Sequence, residues 1–280
     1  MLFDSLTIVG VGLIGGSIGL AAKARAASRH VVGVGRNPET LARARDLGAI
    51  DEFTTDLTNG VRSADVVVFC SPVDQIARQA LQVAPAAMPG ALFTDAGSTK
   101  ANIVRNLDGK LPAHVRFVGA HPLAGSEKQG AENAREDLFE GRVCVLTPAA
   151  TTDPAAVERV TLFWRALGCE VIRLTPEEHD LALATTSHLP HFVAALLASQ
   201  LPMKWRPFAA TGFRDTTRIA AGDPALWAAI ARENALALSH ALNQFADRLG
   251  ELRKAVLNQD TDELMDLLTA AKRVRDALGS

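Results

Sequence analysis

The sequence predicts an α/β protein with two domains: a doubly wound sheet over residues 1–175, and an all-α domain over residues 176–280. Two observations carry this prediction. Short β-rich runs alternate with stretches of helical length as far as residue 175, and no strand-like run follows. The length of 280 residues agrees with two domains, since one domain takes about 150 residues.

Seven runs have the composition of strands. The third is apolar at every position from Val66 to Cys70, which is typical of a parallel strand buried on both faces. The stretches between several of them, such as 20–27, 40–47 and 155–167, are rich in Ala, Leu and Arg and predict helices. The predicted strands are 6–9, 30–34, 66–70, 91–94, 115–119, 143–146 and 171–174.

The character of the chain changes after Thr175. Pro176 and two glutamates begin a helix, because proline fits the first helical turn and acidic groups complement its dipole. Helical patterns follow near 177–201, 224–257 and 260–278, with a loop predicted at 202–222. The apolar content exceeds what one short bundle can bury, so we expect a homodimer through this domain.

Composition narrows the possible partners. The net charge is −2 without any block of like charge, which argues against nucleic acid and anionic membrane as partners. Cys70, Cys144 and Cys169 have apolar neighbours and no C-x-x-C spacing, as expected of buried thiols in a reducing compartment. No basic signal region or apolar run of about 18 residues is evident, so we expect a cytoplasmic location.

A glycine-rich segment, G-V-G-L-I-G-G-S at 10–17, follows the first strand and opens a helix. In this context the first glycine permits a tight turn, the second lets the backbone approach a pyrophosphate, and the third lets the helix pack closely on the strand. This predicts a Rossmann-like dinucleotide site, the alternative being a turn that binds nothing. The expected contacts are Gly10, Gly12, Leu13, Ile14 and Gly15.

The end of the second strand indicates which dinucleotide is bound. Enzymes that use NAD place an acidic residue there for the ribose 2′-hydroxyl, whereas this chain has Gly35, Arg36 and Asn37. A guanidinium suits a 2′-phosphate, so we expect NADP to be preferred over NAD. The alternative interpretation is a solvated surface arginine.

Polar motifs follow three later strands: Ser71-Pro72-Val73, D-A-G-S-T-K at 95–100, and H-P-L-A-G-S-E at 121–127. Each alone could be turn chemistry. Ligands bind at the carboxyl ends of strands in such sheets, so together they predict one site. We expect Ser71 to contact the cofactor. We expect His121 to be a general base in a loop facing the nicotinamide, since its ordinary pKa suits proton removal at neutral pH.

The helical domain contains a second group of polar residues. In T-T-S-H-L-P-H at 185–191, Ser187 and His191 lie one turn apart, and Pro190 is expected to kink the helix. A metal at the two histidines is disfavoured, because no nearby acid or cysteine completes a ligand set. Arg214 and Arg218 then follow in a loop that could clamp carboxylates or could simply join helices.

Taken in order, these motifs resemble one family, the prephenate/arogenate (cyclohexadienyl) dehydrogenases of tyrosine biosynthesis. The resemblance extends from residue 7 to about 235 and is most specific at 121–127, in S-H-L-P-H at 187–191, and in F-R-D-T-T-R-I-A at 213–220. It implies an NAD(P)-dependent oxidative decarboxylation of prephenate to 4-hydroxyphenylpyruvate, or of arogenate to tyrosine. It also implies an intertwined homodimer in which Trp227 reaches the neighbouring site.

The resemblance also implies roles for individual residues. His121 corresponds to the catalytic histidine that hydrogen-bonds the ring hydroxyl, Ser98 to a serine that orients this hydroxyl and the nicotinamide, and Arg218 to an arginine that binds a substrate carboxylate. The positions implied to line the substrate pocket are Ser126, Ser187, His188, His191, Asp215 and Trp227.

Two departures from the family pattern bear on specificity. Arg36 follows Gly35 where NAD-using members have an acidic residue, and His191 stands where an acidic residue would favour the amino group of arogenate. The second departure favours prephenate, alone or with arogenate. Two alternatives remain open at this point: a two-domain dehydrogenase of the β-hydroxyacid type, and an NADP-binding sensor that catalyses nothing.

Overall fold

The computed structural model describes residues 1–125 and 128–279, and its centre is one eight-stranded sheet. The strand order is β3-β2-β1-β4-β5-β6-β7-β8, and every neighbouring pair is parallel except β6 and β7. The strands are β1 (Phe3–Val9), β2 (Ser28–Val34), β3 (Glu52–Thr54), β4 (Val66–Phe69), β5 (Leu92–Asp95), β6 (Arg116–Pro122), β7 (Val143–Thr147) and β8 (Glu170–Arg173).

Helices connect the strands and make up the C-terminal part of the chain. The predicted α/β class with a helical C-terminal region is confirmed. The helices are α1 (Leu13–Ala24), α2 (Pro38–Asp46), α3 (Leu57–Val61), α4 (Val73–Val83), α5 (Ala101–Leu107), α6 (Pro154–Ala166), α7 (Pro176–Leu183), α8 (Leu189–Ser199), α9 (Thr211–Thr217), α10 (Pro224–Glu233), α11 (Ala235–Leu257) and α12 (Thr261–Ala277).

Alternate residues of the central strands enter two separate apolar clusters. On β4, Val66 and Val68 belong to one cluster, whereas Val67 and Phe69 belong to the other, and all four are fully buried. Successive side chains of a strand point to opposite faces, so a strand covered on both sides is apolar throughout. This is why the continuous apolar run from Val66 predicts its position in the sheet correctly.

The structure corrects two details of the predicted sheet. The short strand β3 was not predicted, because it has only three residues and begins with the exposed Glu52. His121 lies within β6 and not in a loop after it. Parallel pairing with β5 ends at Val118, but antiparallel pairing with β7 sets His121 opposite Val145 and extends the strand to Pro122.

The kink predicted near Pro190 is a π-helical turn, Ala184–His188, between α7 and α8. Pro190 lies in the first turn of α8 and has no N–H to donate to the carbonyl four residues earlier, which interrupts regular α-helical bonding before it. The start of α7 is well defined, since Thr175 and Glu178 form a reciprocal capping box there.

The predicted loop at 202–222 is largely helical, which corrects that expectation. It contains a 3-10 turn at Met203–Phe208, the helix α9, and a second 3-10 turn at Arg218–Ala221. The predicted helix at 224–257 is two helices, because Asn234 interrupts it between α10 and α11. The Asn234 side chain donates a hydrogen bond to the backbone carbonyl of Asp180 in α7. No strand follows β8 within the described residues.

The chain divides into two compact units, Met1–Ala235 and Leu236–Ser280. Helices α7–α10 therefore belong with the sheet, where α7 packs against α5 and α10 packs against α4. The domain boundary predicted between residues 175 and 176 stays a prediction about folding units.

By length and composition alone, Pro176–Ser199 could span a membrane, but core helices pass the same test. This segment contributes buried polar groups to the site below.

A buried ion pair closes the carboxyl end of β5. Lys100 Nζ donates to Asp95 Oδ2, and both side chains are fully buried. Burying two charges is costly unless further hydrogen bonds satisfy them. Asp95 meets this condition, since its carboxylate also accepts the N–H groups of Gly97 and Ala120, at 2.9 and 3.0 Å.

Substitution Lys100→Met tests the contribution of this pair to stability. Removing one partner leaves the Asp95 charge buried and uncompensated, so we expect the free energy of unfolding in urea to fall by about 3–5 kcal/mol. The control Lys23→Ala, which breaks a partly exposed pair with Asp51, should cost at most about 1 kcal/mol. Equal losses in the two variants would contradict the prediction.

Candidate active site

The glycine-rich turn between β1 and α1 is shaped by close backbone approaches. Gly10 has φ of +96°, in the left-handed region that favours glycine. A Cβ on Gly10 would lie 2.9 Å from the Cys70 carbonyl, and one on Gly15 would lie 2.2 Å from the Gly10 carbonyl oxygen. These two glycines are therefore required for packing β1, α1 and the end of β4 together.

Gly12 differs from its neighbours, because a Cβ there would meet no atom within 4 Å. It is the N-cap of α1 and, having no side chain, leaves that terminus without a side-chain cap. Leu13 and Ile14 follow in the partly exposed first turn. Open space next to uncapped N–H groups fits the pyrophosphate of a dinucleotide, which such helix termini bind.

Arg36 lies just beyond β2 and is exposed. Its guanidinium makes no hydrogen bond or ion pair with any described residue. The next residue, Asn37, caps α2 by accepting the Glu39 N–H at 2.8 Å, so the backbone there is well anchored. A cation on an anchored strand end suits a phosphate on the cofactor ribose.

The end of β4 lies against the glycine turn, since a Cβ on Gly10 would also be 3.0 Å from the Ser71 nitrogen. The Ser71 hydroxyl donates to Gln79 Oε1 at 2.5 Å. The segment after β6 approaches the same turn, because a Cβ on Gly125 would lie 3.8 Å from Ile14. The ends of β1, β4 and β6 thus lie at one edge, as expected of strands in a doubly wound sheet.

His121 contacts His179 of α7, which in turn contacts the next residue, Asp180. Its Nδ1 lies 2.8 Å from Nε2 of His179, and Nδ1 of His179 lies 2.8 Å from Oδ1 of Asp180. The Asp180 carboxylate also accepts the N–H groups of Lys100 at 2.7 Å and Ala101 at 2.9 Å. A line of hydrogen bonds therefore runs from β6 through α7 to the start of α5.

The environment of His121 favours its neutral form. Burial is the largest cause that lowers the pKa of His121 well below the ordinary 6.5, and the neighbouring His179, Lys100 and His188 lower it further. Burial also lowers the pKa of His179, against the opposing effect of its hydrogen bond to Asp180. A neutral imidazole can accept a proton at neutral pH, as general-base chemistry requires.

His188 lies beside this line of hydrogen bonds. Asn234 donates to the Asp180 carbonyl at 2.7 Å and lies 3.2 Å from His188 Nδ1. Burial lowers the pKa of His188 to about 4, although Asp180 and the Ser98 backbone act to raise it. Its buried Nε2 has no hydrogen bond of normal geometry. A buried nitrogen of this kind is suited to a polar ligand.

His191 stacks on Trp227 of the same chain, with ring centroids 3.5 Å apart and planes 9° apart. Gly222 allows this arrangement, because a Cβ there would lie 2.5 Å from Trp227 Nε1. The buried His191 Nδ1 has no hydrogen-bond partner among the described residues. Trp227 also packs with Val73 after β4 and with Ile230, which links this aromatic pair to the strand ends.

The other predicted residues are placed less closely. Ser98 is partly exposed, next to the Asp95–Lys100 pair, and Ser187 is partly exposed in the π-helical turn. Arg218 starts the 3-10 turn after α9, and the turn packs against α8, whereas Asp215 is exposed on α9. Ser126 lies outside the described residues. The roles of these residues stay predictions.

His179, Asp180 and Asn234 were not predicted as site residues from the sequence. A signal was present for Asp180, since Asp180 and His188 are eight residues apart in an apolar segment and so share a helical face. Two buried polar residues on one such face indicate a partner across the interface. Asn234 had no comparable signal, because its partners are 46 and 54 residues away.

A separate cavity of about 390 Å³ lies near the start of β6, lined by residues that include Leu107, Arg116 and Thr147. None of the predicted site residues lines it. Among the described residues, no group of three or more His, Cys, Asp or Glu side chains could hold a metal ion.

Two family models match this chain. The one described as "Prephenate dehydrogenase, nucleotide-binding domain" matches residues 18–173, and "Prephenate dehydrogenase, dimerization domain" matches residues 175–270. The chain is 36% identical over 283 residues to a prephenate dehydrogenase of Bacillus subtilis (strain 168), covering 98% of this chain and 76% of that protein. It is likewise 36% identical to a cyclohexadienyl dehydrogenase of Zymomonas mobilis, covering 99% and 96%.

The fold is also similar to a solved structure. The crystal structure of prephenate dehydrogenase from Aquifex aeolicus, in complex with hydroxyphenyl propionate and NAD+, superposes with a TM-score of 0.91 at 33% identity. The superposition covers 98% of each chain.

The pair of substitutions Gly12→Ala and Gly15→Ala tests the dinucleotide site. Because a Cβ fits at Gly12, that variant should keep the wild-type melting temperature but bind NAD and NADP at least about tenfold more weakly, or ~1.4 kcal/mol. Gly15→Ala should lower the melting temperature, because its Cβ would overlap the Gly10 carbonyl. Calorimetric titration and thermal unfolding measure both. Undiminished binding by Gly12→Ala would contradict this assignment.

Proposed function

Since the chain belongs to the prephenate dehydrogenase family of NAD(P)-dependent oxidoreductases, we propose that it oxidatively decarboxylates prephenate in tyrosine biosynthesis, with NADP as the preferred acceptor. One observation carries the proposal. His121, the candidate base, whose pKa is lowered by burial, is held by a hydrogen bond to His179 at the edge of the sheet where the glycine turn lies. Proton removal and dinucleotide binding then take place at one edge.

The reaction needs a base, an acceptor of hydride and a carboxylate clamp. His121 takes the proton of the ring hydroxyl, so the O–H bond breaks as an N–H bond forms on the imidazole. The oxidised nicotinamide, when bound, accepts the hydride from the ring carbon that bears this hydroxyl, and that carbon becomes a carbonyl. The ring then loses its carboxylate as CO₂. The released electron pair makes the ring aromatic, and His121 returns the proton to the phenolate oxygen.

Two side chains bear on substrate binding, and only the second distinguishes prephenate from arogenate, because both substrates carry carboxylates. Arg218 carries a cation in the turn that packs against α8, which suits a substrate carboxylate. His191, stacked on Trp227, offers no anion to pair with the ammonium group of arogenate. Prephenate is therefore the preferred substrate in this proposal, with arogenate as a weaker one.

The cofactor preference rests on Arg36. The complex of the Aquifex relative contains NAD+, which supports a nicotinamide dinucleotide without favouring NADP. In this chain the Arg36 guanidinium follows β2 and has no hydrogen bond or ion pair with the described residues, and no carboxylate stands at residues 35–37 to repel a 2′-phosphate. We propose NADP preference on that ground alone.

We also propose that the protein is a cytoplasmic homodimer that assembles through its helical region. The family model matching residues 175–270 is described as a dimerization domain. Several large apolar side chains in this region are exposed, which is expected where a second copy covers them. They include Leu196, Met203, Trp205, Phe208, Leu236, Leu257 and Leu268.

The test of the proposed function is the absorbance of reduced nicotinamide after prephenate and NADP are added to the purified protein, repeated with arogenate and with NAD. We expect the fastest rise with prephenate and NADP. Absence of turnover with all four pairs, while NADP still binds, would overturn the proposal in favour of a binding protein.

Substitution His121→Asn tests the base in the same assay. We expect kcat to fall by roughly 10²–10⁴-fold, because general-base catalysis is lost, with little change in NADP affinity. In the wild-type protein, kcat/KM should stay constant as the pH falls to 6.5 and below. The lowered pKa keeps His121 neutral there, and activity should drop only when this nitrogen is protonated. A kcat within a few-fold of wild type would refute the role.

Substitution Arg36→Ala tests the cofactor preference. Loss of a charged hydrogen bond should weaken NADP binding by about 1.5–3 kcal/mol and leave NAD binding unchanged. The control Arg43→Ala removes an exposed arginine from the end of α2 and should affect neither. Binding constants from calorimetry measure the difference. Equal weakening of both cofactors by Arg36→Ala would be evidence against the 2′-phosphate contact.

A further inference from the structure

The line of hydrogen bonds from His121 to Asp180 determines more than the position of the base. His179 is fully buried and Asp180 is nearly so, at 4% exposure. The two His rings meet edge to face, with centroids 5.1 Å apart and planes at 65°, so that Nδ1 of His121 points at Nε2 of His179. The N–N distance between the two histidines and the N–O distance between His179 and Asp180 are both 2.8 Å.

The donors along this line are decided at Asp180. Its carboxylate already accepts two backbone N–H groups, from Lys100 and Ala101, and an ionised carboxylate has no proton to donate. Nδ1 of His179 must therefore carry a proton and donate it to Asp180. A neutral imidazole with its proton on Nδ1 has an unprotonated Nε2, which can only accept. Nδ1 of His121 is left as the donor.

We propose that His179 and Asp180 hold His121 in the tautomer protonated on Nδ1, so that Nε2 is the atom that accepts the proton of the substrate hydroxyl. His179 is a positioning residue, because it acts through His121. The inference rests on the proposed function, since it assigns the atom of His121 that serves as the base. A free neutral imidazole can carry its proton on either ring nitrogen, and the hydrogen bond to His179 selects Nδ1 of His121.

The arrangement also serves the charged state of the base. When Nε2 of His121 takes the proton, the imidazolium keeps its Nδ1–H bond to His179, and the Asp180 carboxylate lies behind that ring. The negative charge thus faces the cation through one neutral imidazole. When the phenolate forms, Nε2 returns the proton and the original tautomer is restored, so the line needs no net proton.

A purely structural role is the competing explanation. The two backbone N–H groups that Asp180 accepts belong to the N-cap and first residue of α5, so Asp180 caps that helix from another element. Asn234 further fixes this region by donating to the Asp180 carbonyl. A cap alone would affect stability but would not determine which nitrogen of His121 carries the proton.

The decisive experiment records long-range proton–nitrogen correlations of the full-length protein labelled with 15N-histidine, at neutral pH. The chain has seven histidines, and His121→Asn identifies the His121 signals by their loss. We expect protonated Nδ1 and unprotonated Nε2 on His121 in the wild-type protein. A wild-type His121 with its proton on Nε2 would overturn the proposal, and this result needs no variant to fold.

Two substitutions extend the test to catalysis. In His179→Gln, the side-chain oxygen can still accept from Nδ1 of His121, whereas His179→Leu removes the acceptor. We expect His179→Leu to shift the His121 proton toward Nε2 and to lower kcat about 10²-fold with KM near wild type. His179→Gln should keep the tautomer and most of kcat. The control His114→Leu, in the loop before β6, should change neither. Equal kcat in the Gln and Leu variants would contradict the role of His179.

The two readouts separate this inference from the proposed function. If the wild-type protein shows the expected tautomer but does not oxidise prephenate or arogenate, the proposed reaction fails and the hydrogen-bond assignment stands. If it oxidises prephenate with His121 protonated on Nε2, the reaction stands and the inference fails.

Discussion

The buried pair of Asp95 and Lys100 is the interaction on which the site depends. Asp95 ends β5, yet its carboxylate accepts the N–H of Ala120 on β6, the residue before His121. Lys100 neutralises that carboxylate, and the backbone N–H of Lys100 is in turn held by Asp180 of α7. One charged centre therefore fixes the relative positions of three elements, which side-chain packing alone would leave adjustable.

The same burial has a chemical effect. Burial and the nearby Lys100 cation both lower the pKa values of His121 and His179, because desolvation and like charge disfavour a second cation. The packing of the candidate base thus favours its neutral form. Stability and reactivity are coupled here, since the pair that stabilises the strand ends also helps to keep His121 ready to accept a proton.

The glycines of the turn at the proposed cofactor site are of two kinds. Gly10 and Gly15 are required by packing within the protein, whereas Gly12 is open in the folded chain and is required only if something approaches its backbone. This difference separates glycines that build the turn from the one that leaves room for a ligand. Arg36 has a similar status, because no neighbour in the described part of the chain explains its position.

By itself, the sequence determined the α/β class, seven of the eight strands, the helical C-terminal region and the glycine turn. These features depend on local patterns: apolar runs, glycine spacing and the proline and acids that start α7. His121, Ser98, His188 and His191 could be selected because they stand in short polar motifs. The substrate and cofactor roles of these residues remain predictions.

Tertiary structure alone decided the antiparallel β7 that brings His121 into a strand, and the contact of His121 with His179. Those two residues are 58 positions apart, on elements whose patterns say nothing of each other. Their meeting depends on how α7 packs against α5 and β7, and no periodicity within either segment records that packing. Local patterns predict elements because their forces act within a few residues, whereas a hydrogen-bonded site depends on the packing between elements.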